Sequence, residues 1–171
     1  RLALTLHLIF GSGWLVASEI PGPSSRRTSW SITEIMYHPV VRDDGRDLEF
    51  VELRNSGLIA EDLAGHRLAG EIEFQFPSGT VVPAGGYLTL YADDLPSTPE
   101  QIHLGFSLKT NEGDGVFLYD TLAAGGALVE GVEFGVQIAD FSIGRVGHDR
   151  AWALTHPTFG AANTSAQTGD V

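Results

Sequence analysis

The sequence contains no cysteine, one methionine and one lysine, Lys109. Without cysteine the chain has no disulfide scaffold, thiol nucleophile, iron–sulfur cluster or cysteine-type zinc site. Basic residues are also few, because ten Lys+Arg stand against 22 Asp+Glu and the net charge is −12. Nucleic acids and anionic membrane surfaces both attract proteins through clustered Lys and Arg. We therefore predict no membrane partner and no DNA binding tighter than about 10⁻⁴ M at physiological salt.

Long apolar runs are scarce, and the most apolar segment lies at the start of the chain. Residues 2–17 are mostly apolar, follow Arg1, and precede Ser18, Glu19 and a Pro/Gly/Ser string. A basic start, a short apolar run and small residues before a polar break are typical of a secretory signal peptide. We expect residues 1–18 to be that peptide, with cleavage before Glu19. A first β-strand, or a fragment cut from a longer chain, is the alternative.

The two ends differ in composition from the middle. Residues 19–29 are rich in Pro, Gly, Ser and Arg and indicate a linker, whereas residues 164–171 indicate a polar tail or a linker to a further domain. One domain is therefore expected over residues 30–163. Removing Glu19 and Asp170 from the 22 acids, and Arg1, Arg26 and Arg27 from the ten bases, leaves 20 against seven there. The acidity belongs to the domain itself.

The middle of the chain has the two-residue alternation of β-strands and no convincing helical period. Turns rich in Gly, Pro, Asp and Asn separate the apolar runs. We predict an all-β fold, an antiparallel β-sandwich of about seven to nine strands, with a barrel as the alternative. Any helix should be one short turn, for example at residues 95–101. The predicted strands cover residues 31–37, 48–54, 71–76, 80–82, 87–92, 116–119, 127–134 and 141–146.

Alternation in residues 71–76 gives the clearest prediction of the core. Ile72, Phe74 and Phe76 should face inward, while the intervening Glu and Gln side chains face water. We expect neighbours for them on other strands, namely Leu53, Leu88, Leu90 and Val116.

One acidic turn is a candidate metal site. Asp43, Asp44, Asp47 and Glu49 place four carboxylates in seven residues, and hard oxygen ligands suit Ca²⁺. The spacing is not that of an EF-hand, and two neighbouring arginines partly neutralise the group. A solvated acidic turn is the alternative.

No catalytic or cofactor-binding residue emerges from the sequence. The loop histidines, His66, His103, His148 and His156, are not spaced to pair with a nucleophile. Glu34 and Glu49 lie where the alternation predicts inward or edge positions, so each needs a partner. We expect structural ion pairs with Arg54, Arg67 or Arg145. Sugar stacking by an exposed aromatic row is an alternative use of Trp30, Trp152, Tyr37, Tyr87 and Tyr91, most of which should be core residues.

Seven blocks of the sequence come in a specific order: ITEIMYHP (32–39), EFVELRNSG (49–57), DLAGHRL (62–68), FQFPSGTVVPAGGYLTLY (74–91), FSLKTNEGDGVFLYD (106–120), SIGRVG (142–147) and HPTFGAAN (156–163). Together they resemble the lamin tail domain family. Two blocks depart from the common pattern of that family, since His66 stands where Trp is more frequent and Ala161-Ala162 replaces a Pro-containing ending.

This resemblance implies an immunoglobulin-like β-sandwich, and the signal-like start favours the bacterial exported type. It also implies a non-catalytic structural or interaction module, secreted or on the cell surface, that docks a protein or an extracellular polymer. Two alternatives stay open. One is a calcium-assisted carbohydrate-binding sandwich. The other is an accessory domain of a larger secreted hydrolase, nuclease or spore-coat-kinase-like protein.

Overall fold

A computed structural model describes residues 28–93, 97–109, 114–147 and 150–167. The expected signal peptide and most of the expected linker lie outside these residues. So does His148.

The described residues form twelve strands and one short 3₁₀ helix. Nine of the strands have three or more residues, which agrees with the predicted number; the other three, β3, β5 and β6, have two each. The bounds are β1 (Trp30–Met36), β2 (Phe50–Asn55), β3 (Glu61–Asp62), β4 (Arg67–Gly70), β5 (Phe74–Gln75), β6 (Val81–Val82), β7 (Tyr87–Tyr91), β8 (Gln101–His103), β9 (Asp114–Tyr119), the 3₁₀ helix (Leu122–Ala124), β10 (Leu128–Phe134), β11 (Ser142–Val146) and β12 (Ala151–Thr155).

Two main sheets face each other, which confirms the all-β sandwich. One has six strands in the order β12-β11-β1-β2-β7-β8, and the other has four in the order β10-β9-β4-β5. Strands β3 and β6 form a separate pair. All neighbours are antiparallel except β7 and β8, which run parallel. Strands β10 and β12 therefore each end a sheet.

Apolar side chains from both main sheets fill the space between them. Leu53, Leu88, Leu90 and Val116 are fully buried, as predicted, and Ile72 and Phe76 are each 2 % exposed. Phe74 was also predicted to point fully inward, but it is only half-buried and packs at the border of the core. Strand β5 covers only residues 74 and 75 of the predicted 71–76 strand, although the Phe76 amide still donates to the His66 carbonyl.

The short helical turn was predicted in the wrong place. Residues 94–96 lie outside the described residues, but Thr98 and Gln101 form an isolated β-bridge and β8 begins at Gln101. The helical turn occurs instead at Leu122–Ala124, where the Thr121 side chain accepts a hydrogen bond from the amide of Ala124. This capping contact needs only one hydroxyl, which no periodicity reveals. No helix in the described residues is long and apolar enough to cross a membrane.

After β12 the chain turns back over the outer face of the six-stranded sheet. We call residues 156–167 the strap. Its end pairs with β12, because Ser165 bridges Thr155 and the amide of Ala166 donates to the carbonyl of Leu154. Its middle lies over β1, β2 and β11. The two central strands are thus covered on both faces, and every residue of β1 is buried.

Candidate functional site

The structure does not bring the four carboxylates of the predicted calcium site together. Asp44 Oδ1 accepts from the amide of Arg46, Asp47 Oδ1 accepts from the amide of Glu49, and Asp43 is exposed. Nowhere in the described residues is a group of three or more His, Asp or Glu side chains placed to hold a metal ion. The loop geometry is that of an acidic turn stabilised by its own side chains.

Glu49 instead faces the interior. It is 7 % exposed, and its Oε2 accepts a hydrogen bond of 2.6 Å from the amide of Leu108. Burial raises the pKa of Glu49 to about 7, and the nearby Asp47 charge adds to the effect. This carboxyl anchors the segment after β8 to the start of β2.

Glu34 and Glu52 form a buried pair on the outer face of the six-stranded sheet. They lie directly opposite each other on β1 and β2, and both are fully buried beneath the strap. Ser142 Oγ donates to Glu34 Oε1 at 2.5 Å, and the Thr158 amide donates to both Glu34 oxygens at 3.1 Å. Thr33 Oγ1 and the Gly160 amide donate to Glu52 at 2.7 and 2.8 Å. The strap is therefore attached through carboxylates.

Desolvation shifts the titration of both carboxyls. Burial raises the pKa of Glu34, although hydrogen bonds from Ser142 and Thr158 oppose the shift. Burial likewise raises the pKa of Glu52 to about 7, against the bonds from Thr33 and Gly160 and with a contribution from the Glu34 charge. Near neutral pH Glu52 therefore still holds its proton in part, where an exposed carboxyl would have lost it.

The prediction that arginines pair with Glu34 and Glu49 was wrong. Hydroxyl and amide donors satisfy both carboxyls, and the three candidate arginines make other contacts. Arg145 Nη2 lies 2.5 Å from Glu130 Oε1 and so links the two sheets. Arg54 lies over the ring of Tyr87, and Arg67 lies over the ring of Tyr119. Alternation alone could not distinguish a guanidinium from a hydroxyl as the partner.

The described histidines have structural surroundings. His66 is 8 % exposed; its Nδ1 donates to the Leu63 carbonyl at 3.1 Å, and its Nε2 lies 3.4 Å from Asp120 Oδ1. His103 stacks on Tyr91, with ring centroids 5.3 Å apart. His156 packs against Phe141. These contacts position rings and do not form a nucleophile–base pair.

The aromatic residues considered for sugar stacking do not present a row of open rings. Trp30 and Tyr37 are core residues, 5 and 2 % exposed. The other three are half-buried, and each has a ring contact on it: Arg54 on Tyr87, Arg145 on Trp152, and His103 and Phe159 on Tyr91.

A cleft opens where β10 and β12 end the two sheets side by side. Its volume is about 490 Å³. We call it the edge cleft. The large apolar side chains that line it are Tyr37, Val132, Phe134, Ile143, Trp152 and Leu154.

Two loops next to the edge cleft expose large apolar side chains. Val41 is 98 % exposed, Val136 is 78 % exposed, and Val40 and Ile138 are about half exposed. We call these four residues the loop patch. Hydrogen bonds hold the two loops together: Asp140 donates its amide to the His38 carbonyl and accepts from the Val40 amide, both at 2.9 Å. Val136 follows Gly135, which lines the edge cleft, so the loop patch begins next to the cleft along the chain, whereas Val40 and Val41 line a separate pocket.

Sequence reasoning missed the strap, the burial of Glu52 and the edge cleft. Gly144 carried a usable signal, since a glycine inside a strand predicts a close backbone approach. A side chain there would collide with Asn163 and Thr155, so the glycine makes room for the strap. No sequence pattern indicated the edge cleft, because the cleft depends on which two strands lie at the ends of the sheets.

Comparison with protein families finds a match. The model of the Lamin Tail Domain matches residues 23–135, about two-thirds of the chain, from before β1 to just after β10. A search of curated proteins finds no match to the chain.

Proposed function

Because the chain belongs to the lamin tail domain family, whose immunoglobulin-like domains are generally non-catalytic, we propose that it is an exported docking module of a bacterial secreted or cell-surface protein. The edge cleft and the loop patch are the docking surface. The occupant is an extended segment of a protein partner, added alongside β10. The observation that carries this proposal is an exposed apolar loop patch next in the chain to a cleft at a sheet edge that several large apolar side chains line.

Strand β10 suits such pairing. It is seven residues long and ends its sheet, so one side of its backbone has no strand neighbour within the described part of the chain. An extended peptide can add main-chain hydrogen bonds to such an edge, while its side chains enter an adjoining pocket. The edge cleft supplies that pocket. The net charge of −12 favours a partner segment that is basic.

Site-specific photocrosslinking in the producing cells tests this proposal. A photoreactive residue at Val136 of the full-length protein should crosslink one defined partner. The same residue at Leu58, which is 96 % exposed outside the loop patch, is the matched control. Ile138→Asp should abolish the crosslink from position 136, and the purified partner should slow amide exchange in β10 more than in β8. Equal crosslinking from positions 58 and 136, or protection elsewhere, would contradict the proposal.

Export is tested separately. The pattern in residues 1–18 predicts that the protein recovered outside the producing cells begins near Glu19. Intact-mass measurement of that protein decides the matter. Recovery from the cytoplasm with residues 2–17 still attached would overturn the proposed location.

The carbohydrate-binding alternative has its own discriminating experiment. A calcium-assisted lectin should gain thermal stability from Ca²⁺ and should be retained on immobilised glycans. We expect neither, because Asp44 and Asp47 bond to their own loop. A calcium-dependent rise in Tm together with glycan retention would favour the alternative over protein docking.

A further inference from the structure

The basic residues of this acidic chain differ in whether a carboxylate lies close to them. The described residues include seven, of which four have a carboxylate within 4 Å: Arg42, Arg46, Lys109 and Arg145. Arg54, Arg67 and Arg150 have none among the residues that the structure describes. Two of these three, Arg54 and Arg150, line the same small cavity.

That cavity lies on the outer face of the six-stranded sheet, between the sheet and the strap. Ser31, Arg54 and Tyr87 are direct neighbours across β1, β2 and β7. The Arg54 guanidinium lies 5.2 Å from the centroid of the Tyr87 ring. Arg150 enters from the loop before β12 and donates from Nη2 to Ser31 Oγ. Two guanidinium groups are thus brought to one row of side chains by separate elements.

Arg145, which is paired with Glu130, and Gly147 also line the cavity, and the strap forms its last wall. Ala161, Ala162 and Asn163 line the cavity opposite Thr33, and its volume is about 90 Å³. Asn163 is held in place, since its Nδ2 donates to the Thr33 carbonyl at 2.7 Å. The volume exceeds what a single water needs, so a small polyatomic group has room.

One donor in this cavity still needs an acceptor. Arg54 Nε is buried and has no hydrogen-bond partner among the described residues. The nearest acid along β2, Glu52, is directed to Thr33 and to the strap amide of Gly160. Burial raises the pKa of Tyr87, so its hydroxyl keeps its proton at neutral pH. Guanidinium and hydroxyl donors around one small space match the oxygens of an oxyanion.

We propose that Arg54, Arg150 and Tyr87 form a binding site for a single oxyanion group, a carboxylate, sulfate or phosphate. The site is small, and the surrounding domain is strongly acidic, so a polyanion such as DNA is repelled at long range while one compact anion can enter. The site is separate from the edge cleft and does not depend on the proposed docking function.

Nuclear magnetic resonance of the full chain tests the site. Sodium sulfate, phosphate and acetate are titrated separately against sodium chloride of equal ionic strength. The Nε–Hε resonances of Arg54 and Arg150 should shift saturably with at least one of the three anions. The anion that saturates the shifts at the lowest concentration is the preferred ligand. The Arg67 resonance should stay in place, which makes it an internal control.

Three variants complete the test. Arg54→Gln and Arg150→Gln should each weaken the apparent affinity at least tenfold, because each removes one charged donor. Arg67→Gln is the matched control, since Arg67 also lies over a tyrosine ring and has no carboxylate partner in the described residues, and it should change the affinity less than twofold. If Arg54→Gln does not fold, Arg150→Gln decides alone. Linear, non-saturating shifts with all three anions, or an equal loss in Arg67→Gln, would overturn the proposal.

Discussion

The two faces of β1 and β2 are both buried, but by different means. The inner face carries Ile32, Ile35 and Leu53, which pack against apolar side chains of the four-stranded sheet. The outer face carries Glu34 and Glu52, which accept hydrogen bonds from the strap. Apolar packing on the inner face is non-directional, whereas the outer face needs hydrogen-bond donors at specific positions.

This difference separates stability from specificity. Apolar burial stabilises the sandwich in proportion to the area removed from water, and it tolerates exchange among similar side chains. A buried carboxyl contributes little unless each oxygen is satisfied, and desolvation opposes its charge. The inner face therefore supplies most of the folding free energy. The outer face determines where the strap lies.

Truncation on the inner side should have the largest effect. Phe76→Ala removes a ring that is 2 % exposed, and we expect a loss of about 3–5 kcal/mol in the free energy of unfolding. Gln75→Ala, at the exposed neighbouring position, should cost less than about 0.5 kcal/mol. Chemical denaturation of both variants measures the difference. Similar losses at the two positions would mean that the alternation of this segment is misassigned.

Two buried carboxyls, Glu49 in the interior and Glu52 on the outer face, should give stability an unusual dependence on pH. The folded state holds their protons up to about pH 7, whereas the unfolded chain releases them near the ordinary pKa of 4.5. Between these values the folded state binds more protons, so stability falls as pH rises. We expect Tm to be higher at pH 5 than at pH 8.

Glu52→Gln isolates the contribution of one carboxyl. It mimics the protonated side chain, so at pH 8 it should be more stable than the wild type, by roughly 1–3 kcal/mol. At pH 5 the two proteins should be close. Thermal melts across this range measure the slopes. Parallel curves for variant and wild type would show that Glu52 titrates normally and that the strap does not desolvate it.

A smaller effect is expected from the strap itself. Thr158→Val removes the hydroxyl that donates to Glu34 Oε2 at 2.9 Å but leaves the amide bonds, so the loss should be about 1 kcal/mol. Amide exchange should accelerate in residues 156–167 and stay unchanged in β9 and β10. Exchange that rises equally in all of these segments would show that the strap does not open separately from the sandwich.

The sequence predicted the inner face far better than the outer one. Alternation identified Leu53, Leu88, Leu90 and Val116 because apolar burial depends on local pattern. It assigned no burial to Glu52, since the residues that cover it lie 108 positions away along the chain. It also missed β12, whose residues alternate weakly and pair only because β11 lies beside them. Contacts between residues that are far apart in the chain do not alter the local hydrophobic periodicity.

Separation along the chain also limited the prediction of the candidate functional sites. The acidic turn at residues 43–49 was conspicuous in the sequence, yet Asp44 and Asp47 accept from their own loop and Glu49 accepts from Leu108. Arg54 and Arg150 are far apart in the sequence, yet register places Arg54 beside Ser31, and Ser31 Oγ accepts from Arg150. Cross-strand register, which the sequence did not specify, decides which charges meet.

The strap also determines how the domain carries mechanical load. Tension on the chain beyond Gln167 is transmitted first to the bridge at Ser165, then to Asn163, Gly160 and Thr158 in turn. These contacts lie in series, so they yield one after another at low force, whereas contacts loaded side by side share the force. Peeling would admit water to Glu34 and Glu52 before any strand of the sandwich separates. The strap is thus a compliant segment in series with the stiff sandwich. Because it is attached through Glu34 and Glu52, the surrounding pH affects how readily it detaches.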